Sequence, residues 1–87
     1  MEITEVRIFP FQGNGTLKAY ASLTIEDQVV VRGIRVIEGR NGLFASMPSR
    51  KWKDEYYDIF FPITAEMREV IQEKVIEAYQ SQKQKAV

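Results

Sequence analysis

A basic pentapeptide around the chain's single tryptophan is the part of the sequence best suited to recognition chemistry. It reads Ser49-Arg50-Lys51-Trp52-Lys53 and places three cations beside one aromatic ring. Cationic side chains contact phosphates, and an exposed ring can stack on a nucleotide base for about 1–3 kcal/mol. The pentapeptide therefore predicts a loop that binds polyanions. A solvated basic loop in which Trp52 folds back onto the core accounts for the pattern equally well.

Basic residues are concentrated in the middle of the 87-residue chain. Residues 32–53 hold six basic residues and one acid, whereas the rest of the chain holds six basic and eleven acidic residues, so the net charge is zero. Binding of a polyanion responds to the local potential rather than to the total charge. The basic residues that could extend the pentapeptide into one cationic surface are Arg32, Arg35 and Arg40. Their pattern also fits the solvent face of an antiparallel sheet.

The sequence lacks the parts that most enzymes need. It contains no cysteine and no histidine, which removes thiolate catalysis, cysteine zinc sites, disulfides and the commonest general base. Asp54, Glu55 and Asp58 could in principle serve acid–base chemistry or hold magnesium, but a solvated loop is the better interpretation. We therefore expect no enzyme activity, no catalytic residues, no metal and no cofactor.

Two features of the sequence favour a cytoplasmic protein that does not enter a membrane. No apolar stretch approaches the roughly 20 residues of a membrane helix, and the N-terminal residues are acidic where a secretory signal would be basic. The absence of cysteine suits a reducing compartment.

Alternating apolar residues predict five strands, and a change of period then predicts one helix. The strands are expected near residues 3–9, 17–25, 28–37, 43–47 and 56–61. Gly33 interrupts the third strand and predicts a bulge, which shifts the face that Arg35 uses. The segment between Pro48 and Glu55 has the composition of a mobile exposed loop. Thr64 is expected to cap the helix, whose apolar stripe comprises Met67, Val70, Ile71, Val75, Ala78 and Tyr79.

These elements predict an α+β fold, with a mostly antiparallel five-stranded sheet and one C-terminal helix packed on one face. Residues 1–82 are expected to form a single domain, and residues 83–87 a disordered polar tail. Val29-Val30-Val31 is apolar on both faces of its strand, so something outside the chain must cover the second face. A homodimer would do so, either face to face or by joining edge strands.

A continuous string in the middle of the chain carries a family resemblance. It reads Ile34-Arg35-Val36-Ile37-Glu38-Gly39-Arg40-Asn41-Gly42-Leu43-Phe44-Ala45-Ser46-Met47-Pro48-Ser49-Arg50, and Asp58 and Pro62-Ile63 follow it. The opening Glu2-Ile3-Thr4-Glu5-Val6-Arg7 and the central Ala21-Ser22-Leu23-Thr24-Ile25 fit the same pattern, so nearly the whole chain is covered. The chain resembles the bacterial SpoVG family, the stage V sporulation protein G or septation regulators.

The resemblance implies a small dimeric protein that binds DNA and RNA and regulates gene expression, with roles in sporulation and asymmetric septation. Members of the family are thought to bind nucleic acid through a basic stretch, which corresponds here to Arg50, Lys51 and, less closely, Lys53. The departures from the usual family pattern are Trp52, Glu55, Phe60-Phe61 and the lack of an acidic tail after the helix.

The sequence thus supports two hypotheses about function. The first is a homodimeric nucleic-acid-binding regulator. The alternative is a protein-interaction adaptor that binds an acidic partner of the division or sporulation machinery through the same loop, because basic loops recognise carboxylates as well as phosphates. The candidate nucleic-acid-binding residues are Arg50, Lys51, Lys53, Trp52, Ser49, Arg40, Arg35 and Arg32.

Overall fold

Six strands and one helix follow one another within residues 1–85. A computed structural model describes residues 1–85, with side chains described through Gln82. The elements are β1 (Ile3–Pro10), β2 (Leu17–Ile25), β3 (Val29–Gly39), β4 (Gly42–Ser46), β5 (Ser49–Trp52), β6 (Glu55–Asp58) and α1 (Ala65–Lys85). Strands β1 to β4 form one antiparallel sheet in chain order, and β5 and β6 form a separate two-stranded sheet. The predicted α+β class is confirmed, whereas the single five-stranded sheet is wrong.

The difference lies in the segment between Pro48 and Glu55, which is a β-hairpin and not a loop. Lys53 and Asp54 both have positive φ, 51° and 56°, the backbone of the two-residue turns that match the twist of paired strands. Trp52 therefore lies opposite Glu55. The predicted fifth strand at 56–61 is reduced to β6, which pairs with β5 and does not join the main sheet.

The bulge predicted at Gly33 is present in β3. Ala21 pairs with Ile34 while Leu23 pairs with Val31, so β3 contains one residue more than β2 over this stretch. Gly33 has a φ of 89°, which side-chain-bearing residues rarely adopt. A Cβ built on it would lie 3.3 Å from the Cβ of Pro48, so the site requires glycine for conformation and for space.

Helix α1 covers one face of the four-stranded sheet and encloses the core between them. Ile71 and Val75 are its most buried side chains, spaced by one turn as the apolar stripe predicted. The predicted stripe is wrong at Val70, which is 37% exposed, and Ile76 packs against the core instead. The buried residues of the sheet that join this core are Ile3, Ile8, Ala19, Ala21, Leu23, Ile34, Val36 and Ala45.

The start of α1 is as predicted. The Met67 backbone N–H donates to the Oγ1 atom of Thr64 at 3.1 Å, so Thr64 caps the helix. The disordered tail expected at 83–87 overlaps the last turn of α1, which extends to Lys85. Residues 86 and 87 of that expected tail lie outside the described part of the chain. No helix within residues 1–85 is both long enough and apolar enough to cross a membrane.

One glutamine of α1 closes the outer edge of the sheet. The Ala45 N–H donates to Gln72 Oε1, and Gln72 Nε2 donates to the Ala45 carbonyl, both at 2.7 Å. The side-chain amide thus makes the pair of bonds that a neighbouring strand would make. Edge strand β4 is therefore capped at Ala45, where it would otherwise offer a template for another strand.

Candidate nucleic-acid interface

The pentapeptide found in the sequence forms one strand of the β5–β6 hairpin, residues 49–58, which we call the arm. Arg50 lies opposite Tyr57, and Lys51 lies opposite Tyr56. Because successive side chains of a strand point to opposite faces, Arg50 and Lys51 lie on different faces of the arm. The three cations therefore do not make one patch, and each face of the arm carries a cation beside a tyrosine.

Trp52 stands on the Arg50 face of the arm and is open to solvent. Its exposed fraction is 65%, so the alternative in which Trp52 folds back onto the core is wrong. The Nζ atom of Lys53 lies 5.9 Å from the centroid of the indole ring, within the range of a cation–π interaction. The arm thus presents an aromatic ring with a cation already beside it.

The acidic residues of the arm are dispersed along it. Glu55 Oε2 accepts a hydrogen bond from the Tyr57 hydroxyl at 2.6 Å. This bond, together with a smaller effect of burial, raises the pKa of Tyr57, because an ionised acceptor favours the neutral phenol. Asp54 lies in the turn and Asp58 lies at the base, opposite Ser49. Within the part of the chain that the structure describes, no group of three acidic side chains could hold a metal ion.

The arm's cations are available to an external anion. Among the side chains described, through Gln82, the ion pairs join Arg7 to Glu5 and Lys18 to Glu38, and none involves the arm. An unpaired cation can meet a phosphate without first breaking an internal bond. All three cations of the arm are exposed, whereas Ser49 at the base is half-buried.

The bulge in β3 places Arg32 and Arg35 on the same side of the sheet, close to the base of the arm. Ile34 and Val36 are fully buried in the core, so Arg35 between them lies on the face away from α1. The extra residue of the bulge puts Arg32 on that same face. Pro48, the residue just before the arm, lies next to this bulge, since its Cβ is 3.3 Å from the position that a Cβ on Gly33 would take. Arg35 also donates from Nη2 to Ser46 Oγ at 3.2 Å, which fixes its position.

Arg40 is separate from the other candidates. It lies in the turn between β3 and β4, beyond the Gly39–Gly42 pair, at the opposite end of β3 from the bulge. Arg40 lies five residue steps from Arg35 along extended backbone, a distance of roughly 17 Å. Arg40 therefore does not belong to the cationic cluster at the base of the arm.

Two groups of exposed apolar side chains were not identified as parts of a site from the sequence. One follows the arm, where Ile59, Phe61 and Ile63 are 64%, 56% and 89% exposed. The other consists of Phe9 and Tyr20 on the sheet face away from α1, at 54% and 42%. The exposure of Phe9 and Tyr20 could have been predicted from their positions in the strands, since each alternates with residues that face the core.

Comparison with known proteins agrees with the resemblance found in the sequence. The SpoVG family model matches residues 1–81. A protein of Archaeoglobus fulgidus named "Putative septation protein SpoVG" is 50% identical over 82 residues, which cover 93% of this chain and 96% of that protein. Proteins of the same name from Clostridium perfringens and Agathobacter rectalis are 50% and 48% identical over 95% and 94% of this chain, and over 93% and 95% of their own lengths.

The matched region contains the whole sheet, the arm and most of the helix, and identity near one half over such a span is incompatible with chance similarity of short motifs. The chain belongs to the SpoVG family.

Proposed function

We propose that this chain is a cytoplasmic nucleic-acid-binding regulator that acts as a homodimer, with the arm as its main contact to DNA or RNA. The observation that carries the proposal is the solvent-exposed Trp52, which shares a face of the arm with Arg50 and has Lys53 beside its ring. None of the arm's three cations forms an ion pair with a described side chain. Stacking rings and phosphate-binding cations together are what sequence-tolerant nucleic-acid contact requires.

The shape of the arm supports a role in a groove. A two-stranded β-ribbon fits the major groove of duplex DNA. Arg50 and Lys51 on opposite faces of the ribbon would then meet phosphates on the two sides of the groove. Lys53 at the tip adds a third contact.

Exposed apolar side chains support the homodimer. A two-stranded hairpin is at best marginally stable alone in water, and the strip of Ile59, Phe61 and Ile63 next to the arm is left uncovered by the described part of this chain. Burial of such a strip against a second copy would stabilise both the strip and the arm. The proposal therefore assigns the dimer contact to this strip and not to the edge of β4, which Gln72 caps.

The biological setting comes from the relatives' names, which refer to septation. We infer that this chain regulates gene expression connected with septation or sporulation by binding nucleic acid. The adaptor hypothesis uses the same arm and differs only in the partner, an acidic protein.

The test is binding of random-sequence DNA and RNA oligonucleotides, measured by fluorescence anisotropy between 50 and 200 mM salt. If each arm of a dimer makes three phosphate contacts, affinity should fall about a thousandfold over this range, whereas a monomer should lose only about 40-fold. Replacement of Arg50, Lys51 and Lys53 by alanine should abolish the binding of duplex oligonucleotides. The matched control replaces Lys18, Arg40 and Lys74 by alanine, which removes the same charge away from the arm.

Equal binding by the arm variant and the control variant would refute the arm as the site. Absence of binding by the unmodified protein would refute the nucleic-acid function, and the search would turn to acidic protein partners.

A further inference from the structure

The sheet face away from α1, which we call the open face, has the features of a second binding surface. We propose that the open face binds single-stranded nucleic acid, with bases stacked on Phe9 and Tyr20 and phosphates held by Arg7, Arg32 and Arg35. The inference rests on the proposed function and extends it, because it assigns a particular form of nucleic acid to a surface distinct from the arm.

A groove runs across the open face. Its volume is about 600 Å³, in the range of sites that accept small ligands or parts of a polymer. The side chains that give it chemical character are Phe9, Tyr20, Arg7, Arg32, Glu5, Ser22 and Thr24. Two aromatic rings, two guanidinium groups, one carboxylate and two hydroxyls thus line one concave surface.

The strand register arranges these side chains in rows. Phe9 pairs with Tyr20, and Tyr20 pairs with Arg35, so two rings and a cation lie side by side across three strands. In the next row Arg7 pairs with Ser22. Neighbouring strands are about 4.8 Å apart, so a chain laid across the sheet would meet ring, ring and cation in succession.

The ring of Tyr20 is held in place by a second aromatic contact. Phe11 packs against it edge to face, with ring centroids 6.1 Å apart and an interplanar angle of 89°. Edge-to-face packing is a favourable aromatic geometry. The Tyr20 ring is therefore preorganised, which lowers the entropic cost of binding.

Charge favours a polyanion over a second copy of this chain as the occupant. The open face carries three arginines, Arg7, Arg32 and Arg35, against the single acid Glu5, which already pairs with Arg7. In a two-fold dimer the same patch meets itself, so face-to-face contact would oppose two positive surfaces. A nucleic-acid backbone supplies the complementary charge.

The aromatic rings select single strands. Bases in a duplex are stacked on each other and paired, so their faces are not available to a protein ring. Single strands present unstacked bases that can lie on aromatic side chains displayed by a sheet. The arm, as a ribbon that fits a groove, does not impose this requirement.

The experiment compares two single variants of exposed aromatic residues on the sheet. Phe9→Thr removes a ring inside the groove, and Phe44→Thr, the matched control, removes a ring that is 43% exposed but does not line it. Threonine suits strand positions. Binding of a random single-stranded 12-mer should weaken by about 5- to 160-fold for Phe9→Thr and remain unchanged for Phe44→Thr. Binding of a duplex of the same length should be unaffected by either.

A second variant guards against an effect on folding. Arg32→Gln leaves the core untouched and should lower the salt slope of single-strand binding by about 0.7 while the slope for duplex is preserved. Trp52 fluorescence reports arm contact independently, because it is the chain's only tryptophan.

Three outcomes would overturn the inference. Unchanged single-strand affinity for both Phe9→Thr and Arg32→Gln would remove the open face as a site while leaving the arm's function intact. A shift of Phe9→Thr from dimer to monomer in sedimentation would show that a second copy occupies the face. Failure of the unmodified protein to bind any nucleic acid would overturn the proposed function along with the inference.

Discussion

The double hydrogen bond between Gln72 and Ala45 makes a quantitative prediction about stability. We expect Gln72→Met to destabilise the fold, because methionine keeps the length and helix propensity of the side chain but can make neither bond. Ala45 is 4% exposed, so its N–H and carbonyl groups would have little access to water as a replacement.

The magnitude follows from the two backbone groups left without partners. Each buried polar group that loses its hydrogen bond costs about 1–3 kcal/mol, and partial access to water at a sheet edge favours the lower half of that range, so the total is about 2–4 kcal/mol. A domain of this size has a free energy of unfolding of roughly 4–13 kcal/mol. One side chain therefore accounts for a large share of the stability.

Urea denaturation followed by circular dichroism measures this loss. The matched control is Gln80→Met, the same substitution at an exposed position of the same helix, which should change the free energy of unfolding by no more than about 0.5 kcal/mol. The slope with denaturant should be the same in both variants, since the surface exposed on unfolding is unchanged. If Gln72→Met costs no more than Gln80→Met, the capping role of Gln72 is wrong.

Two further predictions concern the bulge and the arm. Gly33→Ala should lower stability by about 1–3 kcal/mol because of the φ of 89° at this position and the nearby Pro48. Thermal melts should show a loss of several degrees per kcal/mol. Gly15→Ala, with open space around the residue, is the control, and equal melting temperatures of the two variants would contradict the argument. Glu55→Gln should lower the pKa of Tyr57 toward its ordinary value of 10.0, because loss of the carboxylate removes the preference for the neutral phenol. The hydrogen bond supports the arm below pH 10 and is lost as pH rises through the raised pKa of Tyr57. Phenolate absorbance measures this pKa, and the Tyr57→Phe variant identifies which part of the signal belongs to Tyr57. An unchanged titration in Glu55→Gln would show that Glu55 does not raise the pKa.

The main sheet could be predicted from the sequence because only one of its faces packs against the core, so residues facing the core alternate with others along each strand. β2 was predicted with the observed bounds, since apolar residues alternate over 17–25 and glycines precede it. The bulge at Gly33 was also predictable, because glycine inside a strand of β-branched residues usually marks a bend or a close approach of the backbone. Its consequence, that Arg32 and Arg35 share a face, follows from one extra residue in the strand.

The arm could not be recognised as a hairpin for the opposite reason. Both of its faces are exposed, so no alternation of apolar and polar residues marks its strands, and its turn is Lys53-Asp54 instead of the asparagine–glycine pair that commonly signals such a turn. The charge pattern found the location of the candidate site but not its shape. Arg40 was predicted to belong to the cationic surface because it is close to Arg35 in sequence. The extended strand between the two residues separates them in space.

The chain order of the main sheet has a consequence for how this protein is made. Each of the strands β2 to β4 pairs with the strand just before it, so the sheet consists of contacts between close sequence neighbours, which form quickly. Helix α1 follows all six strands and must return to contact β1, the first of them. During synthesis the sheet can therefore assemble before its cover exists, and its apolar face and the edge at Ala45 stay unprotected until α1 has left the ribosome.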